Sequence, residues 1–293
     1  MKKMSLERKI NLSGYIFMLP WIIGAIFFFV VPFIESVFYS FSEVTLNTDG
    51  LALKNVGLDN YKYMLLVNAD FTQDVARSFK SLVTQVPLIW FFSLFIAILM
   101  NQKFIGRTFM RAIFFLPVII GTGMVIKIIN SDVFVTSGLD ETSQIFQANV
   151  LQEILTQMNV DQSISDFLLK ATSNVFDLTW KSGLQILLYL SSLQTIPTTY
   201  YEVASVEGAN AWDSFWKITF PVLAPTSLLV VIYTIIDTFT DSTSGVMRSI
   251  MNKIIDFLYG YASASAIIYF VVIAFVLLIV FSISRKAVKA AND

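Results

Sequence analysis

Residues 15–34, YIFMLPWIIGAIFFFVVPFI, run for 20 positions without a charge. A helix crossing a hydrocarbon layer about 30 Å thick needs about 20 such residues, so this run has the length of one crossing. Lys2, Lys3, Arg8 and Lys9 precede it, as in a secretory leader. The run is longer than the roughly 7–15 apolar residues of a leader, and no small-x-small cleavage site follows, so it reads as a retained span reaching residue 40. Comparable runs lie near 82–100, 112–130, 181–194, 222–240 and 261–284. The expectation is one all-α membrane domain over 1–293 with six transmembrane helices. The fourth run, SGLQILLYLSSLQT, carries scattered polar groups, as expected of a span packed inside a bundle or beside a wet cavity.

Composition agrees. Hydrophobic residues make up 56% and charged residues 14%, against about 45–50% and about 25% in soluble domains. A net charge of −1 offers no basic face for nucleic acid. With no cysteine and no histidine, the chain lacks disulfides, thiolates and the commonest general base and metal ligand.

Basic residues set the orientation. Lys2, Lys3, Arg8, Lys9, Lys103, Arg107, Arg111, Lys217, Arg285, Lys286 and Lys289 fall on one side of a six-span arrangement. The loops near 41–80, 131–178 and 241–260 hold most of the acids. The positive-inside pattern puts both termini in the cytoplasm. Segment 131–178 is too long for a tight connection. Phe146, Leu151, Val150, Ile154, Leu155 and Met158 recur at helical spacing there, predicting an amphipathic outer helix, with another near Ile164–Leu169.

The inner connection 195–225 reads TIPTTYYEVASVEGANAWDSFWKITFPVLAP. Pro197 suits a helix start, Glu202 is placed on the exposed side, and Gly208 supplies a sharp turn. A second helix is expected from about Ala211, with Pro221 leading into the fifth span. The pattern is a helix–Gly–helix elbow.

Here the sequence resembles the inner-membrane permeases of binding-protein-dependent ABC importers. Their shared loop has Glu-Ala-Ala, then Gly four residues past the second Ala, then Ile-x-x-Pro. This chain has Glu202, Val203, Ala204, Gly208, Ile218 and Pro221, with Val203 replacing an Ala. Glu207, Gly208, Ala209 and the ending FPVLAP resemble the carbohydrate (maltose-type) branch, although Glu207 stands where Asp is usual. GYIFMLPWIIGAIFFFVVPFIESVFYSF at 14–41 and NQKFIGRTFMRAIFFLP at 101–117 extend the likeness, leaving 131–178 unmatched.

The resemblance implies the type I ABC importer permease architecture and a sugar or oligosaccharide path through a bacterial inner membrane. It implies no cofactor in this chain, with ATP and Mg bound by two cytoplasmic ATPase subunits. It also implies a second, different permease chain and an extracytoplasmic solute-binding protein; the length and apolar periodicity of 131–178 make that segment either its docking surface or a helix packed flat on the bundle. Glu202, Ala204, Glu207, Gly208, Ala209 and Pro221 are the expected ATPase-coupling residues. No GxxxxGK[ST] phosphate loop occurs; GTGMVIK at 121–127 lacks the Gly-Lys pair.

Charges inside spans are costly and face protein or water. Lys127 lies about 24 Å along its helix from Arg111, and Asp237 about 24 Å beyond Pro221, so both can share one depth. Asn130 stands three residues from Lys127, while Tyr233 and Asp237, and Gln185 and Tyr189, share helix faces at i, i+4. These six residues are the expected substrate path, with snorkelling of Lys127 to the outer headgroups as its plain alternative. An ion-coupled secondary transporter would use the same charges but leaves the elbow without a role; a membrane scaffold would leave the charges themselves unexplained.

Overall fold

Inside hydrocarbon no water is available to backbone N–H and C=O groups, so a crossing segment must satisfy them within its own helix. The computed structural model of the chain describes residues 6–47, 50–102, 104–120, 155, 157–158 and 161–292, and these are mostly helical. Helix α1 covers 6–40, with a π-turn at Ile26–Val30. An antiparallel hairpin follows, β1 (Ser42–Asn47) and β2 (Gly50–Asn55), with Ser42 opposite Asn55. A short helix α2 spans 59–67. Next come α3 (Ala69–Asn101), α4 (Arg107–Ile120), α5 (Gln162–Thr195) and α6 (Thr198–Val206). Helix α7 (Ala211–Thr240), α8 (Gly245–Ile255) and α9 (Tyr259–Asn292) complete the order.

Four of these are long and apolar enough to cross a membrane: Phe17–Ser40, Ala69–Asn101, Ala211–Thr240 and Tyr259–Ser284. Of the expected third span, 112–130, residues up to Ile120 belong to α4 and 121–130 lie outside the described residues, as does most of 131–160. The fourth differs from expectation. Asp161 caps α5 by accepting from the Ser163 N–H at 2.9 Å, and no Pro or Gly intervenes before Gly183. Residues 162–178, expected as outer loop with a separate helix near Ile164–Leu169, are therefore the first turns of the helix that holds 181–194.

Two of the π-turns share a cause. Ile26–Val30 ends two residues before Pro32, and Phe215–Thr219 ends two residues before Pro221. A helical proline lacks an N–H and pushes its ring against the carbonyl four residues back. Those carbonyls, on Phe28 and Lys217, lie inside the π-turns, where bonding widens to i→i+5 and makes room. The Phe220 N–H accordingly reaches the Phe215 carbonyl. Pro221 does not separate a second short helix from a span; α7 runs through it from Ala211 to Thr240.

The chain falls into two compact units: residues 1–82 with 237–279, and residues 83–236 with 280–293. In the first, the Asn60 amide, almost wholly buried, donates to the carbonyls of Ser40 and Ser42, both at 3.0 Å. Tyr61 and Ser40 share a hydroxyl contact at 2.6 Å. Gly260, opening α9, sits so close that a Cβ there would overlap the Ser42 carbonyl oxygen. Tyr269 donates to the Phe239 carbonyl at 3.0 Å, satisfying an acceptor left over at the end of α7. Its ring packs edge-on against Phe239, which packs likewise against Phe79. In the same unit, burial lowers the Lys253 ammonium pKa, with Asp74 and Asp70 acting in the opposite direction.

The second unit is built on Leu94, Ala97 and Met100 of α3, Ile186, Tyr189, Leu190 and Leu193 of α5, and Leu223 and Val230 of α7. These recur at three- and four-residue spacing, so each helix turns one face inward.

Gly260→Ala is expected to destabilise the first unit by about 1–3 kcal/mol, the usual cost of overpacking against a fixed backbone atom. Thermal melting of the solubilised chain measures it. Glu43→Ala, on the exposed hairpin, serves as the control and should shift stability by less than about 0.5 kcal/mol.

Candidate functional site

The elbow is defined by its end groups. Pro197, at φ −61° and ψ 137°, is the N-cap of α6, one position before the first turn. At the other end Glu207 is the C-cap and Gly208 adopts φ +81°. The Gly208 N–H donates to the Ser205 carbonyl at 3.1 Å and the Ala209 N–H to the Ala204 carbonyl at 2.9 Å. This pair of reversed bonds is a Schellman motif, which closes a helix through one left-handed residue, usually glycine. Asn210 then caps α7 by accepting from the Asp213 N–H at 2.8 Å.

The elbow is also tied to itself. The Tyr201 and Thr219 hydroxyls meet at 2.9 Å, joining α6 to the π-turn of α7. Lys217 pairs with Asp213 at 3.3 Å, one turn apart. A cavity of about 360 Å³ lies behind it, lined by Ile98, Asn101, Leu193, Tyr201, Phe215 and neighbours. Outward it presents Glu202, Val203, Ser205, Val206 and Glu207, with Val206 89% exposed. Ala204 and Ala209 are half-buried, as small residues bonded across the turn must be, and Pro221 is exposed on α7.

The membrane-depth residues divide. Lys127 and Asn130 lie outside the described residues. Gln185 and Tyr189, expected on a path face, have no exposure at all. The Gln185 Nε2 donates to Thr234 Oγ1 at 3.2 Å, and Tyr189 donates to Ser227 Oγ at 3.0 Å. Thr226 donates to Ser192 at 2.9 Å one turn further on. In this arrangement Gln185 and Tyr189 fasten α5 to α7; apolar walls on both sides leave each other's polar groups as their best partners. Tyr233 is exposed on α7, and Asp237 is half-buried one turn beyond it, in the other unit.

Sequence reasoning missed Ser192, Thr226, Ser227 and Thr234, the partners that make this ladder. Their signal was small hydroxyl residues inside apolar helices, where such groups hydrogen-bond across a helix contact.

These features define a multi-pass helical membrane protein with a rigid elbow at the end of one long apolar helix. Residues 180–291 match the family described as binding-protein-dependent transport system inner membrane component. Over 97% of its length the chain is 33% identical to the probable ABC transporter permease protein YesP of Bacillus subtilis strain 168, and the match covers 94% of that protein. It is 27% identical to the multiple sugar-binding transport system permease protein MsmF of Streptococcus mutans, over 93% of this chain and 95% of that one. A chain of a bacterial alginate ABC transporter, solved in complex with an alginate pentasaccharide-bound periplasmic protein, superposes with TM-score 0.67. That match covers 97% of both chains at 19% identity.

The chain therefore belongs to the family of ABC transporter permease proteins. Its fold is that of a type I importer permease.

Two variants separate the roles of these contacts. Thr234→Val strands the Gln185 amide and should cost about 0.6–1.7 kcal/mol. Gln185→Leu removes the buried Oε1, which has no partner among the described residues, and should be neutral or stabilising. Melting of the two solubilised variants against the parent measures the difference. For the turn, Gly208→Val is expected to cost about 1–2 kcal/mol through its positive φ. Hydrogen exchange should then speed at amides 207–209 while α5 keeps its protection.

Proposed function

We propose that this chain forms part of the translocation path for a sugar or oligosaccharide and takes its driving force from a separate ATPase through the elbow. The observation that carries the reading is the elbow itself: two capped helices locked by Tyr201–Thr219, with Glu202, Val203 and Val206 exposed on its surface. A short rigid helix seated in a groove passes on rigid-body motion with little loss. The sugar assignment is supported by relatives whose names include multiple-sugar and arabinooligosaccharide systems.

In this reading two ATPase subunits bind ATP and Mg, and a second, different permease chain supplies the other elbow. An extracytoplasmic solute-binding protein delivers substrate, with 131–178 as its docking segment. Both termini lie in the cytoplasm of a bacterial cell. Glu202 is the polar contact to the ATPase, and Ala204, Glu207, Gly208, Ala209 and Pro221 fix the elbow's shape. Asp237 and Tyr233, with Lys127 and Asn130, are assigned to the path.

The test is uptake by the full complex in proteoliposomes. Uptake should require ATP, and Gly208→Val or Glu202→Lys should cut it roughly tenfold or more, the equivalent of about 1.4 kcal/mol in coupling, with unchanged membrane insertion. Uptake driven by an ion gradient without ATP, or full coupling in both variants, would overturn the proposal.

A further inference from the structure

Trp212 and Trp216 are the largest side chains at the foot of α7, and both are exposed. They are 70% and 45% exposed, and their rings meet edge to face at 5.6 Å. Trp216 also contacts Phe215 and Phe220, each at a centroid distance of 5.0 Å, so the aromatic stack climbs the helix. Beside them Lys217 holds its ammonium outward, paired with Asp213.

Depth says what surrounds them. Between Lys217 and Asp237 the helix carries no charge, and residues 218–236 span about 28 Å, close to the thickness of the hydrocarbon core. The 30 residues of Ala211–Thr240 span about 45 Å, the thickness of a bilayer with its headgroups. Trp216 thus stands at the hydrocarbon boundary, and Trp212 about 6 Å further out, in the headgroup layer. An indole, with an apolar body and one N–H, is at its most stable at that level. Lys217 at the same level meets lipid phosphate. The helix continues without a break from these rings into the bilayer, so the lipid contact of the span extends onto them.

We propose that inner-leaflet lipid headgroups cover Trp212 and Trp216, anchoring the foot of α7 and fixing the height of the elbow above the membrane. The proposal rests on the reading of the elbow as cytoplasmic. In this reading the exposed Glu202, Val203 and Val206 of α6 meet the ATPase, while the indoles belong to the membrane.

The experiment uses the assembled transporter in vesicles of phosphatidylcholine brominated either near the glycerol end or near the chain terminus. Trp21, Trp90, Trp180 and one of the pair Trp212 and Trp216 are replaced by Phe, so that the other is the single indole left in this chain. Shallow bromines should cut Trp216 emission by about twofold and Trp212 emission less, with deep bromines weaker for both. If the fourfold replacement lowers yield, the same comparison is made as the signal lost on Trp216→Phe in the parent chain. Absence of quenching by either lipid overturns the proposal, as does emission that changes only when the ATPase is stripped away.

Orientation is read separately. Ser205→Cys in this cysteine-free chain should react with an impermeant maleimide only after intact cells are opened. Reaction in intact cells would overturn the cytoplasmic elbow, and with it the assignment to the inner leaflet, even if lipid quenching were seen.

Discussion

Hydrocarbon offers no hydrogen-bond partner, so the polar side chains that α5 carries into the bilayer look to the neighbouring helix for theirs. That constraint explains the helix with the lowest hydropathy among the long ones. Gln185, Tyr189 and Ser192 reach Thr234, Ser227 and Thr226 of α7, in an order that fits two antiparallel helices. Each bond is worth only about 1 kcal/mol against a membrane-inserted reference. Their larger effect is on register, since sliding α5 by one turn along α7 would strand all three. The same contacts hold the C-terminal end of α5, and so the elbow that follows it, at a fixed height on α7.

Prolines act as a second source of order in this chain. A proline deep in a helix normally kinks it. Here Pro32 and Pro221 each follow a π-turn that already contains the carbonyl their rings would strike. The cost is met with one extra residue in the turn, and the helix continues. At α7 this continuity lets a single rod reach from the elbow to Thr240.

The apolar runs and the elbow were legible because both rest on local chemistry. A charge-free run of 20 residues has few fates, and Gly208 four residues after Ala204, before an Asn cap, spells a helix reversal in any context. The start of α5 was not legible in the same way. Residues 162–178 are polar enough to read as loop, and only the Asp161 cap and the lack of any breaker before Gly183 mark them as helix. Nor was the position of Gln185 and Tyr189. Their i, i+4 spacing told which face they share, while their burial depends on hydroxyls of α7 about 40 to 50 positions away in sequence. The hairpin at 42–55 went unseen because its short strands alternate too little to stand out between two spans.

The elbow closes all of its bonds on itself: the reversed pair at Gly208, the Asn210 cap and the Tyr201–Thr219 hydroxyl contact. Such a turn has no soft joint. A push on α6 cannot be absorbed by bending at the glycine, since that would open several hydrogen bonds at once, so it passes into α7 as torque. The piece behaves as a crank welded to its shaft, and where the shaft yields, it yields first at the π-turn, where the ladder is widest.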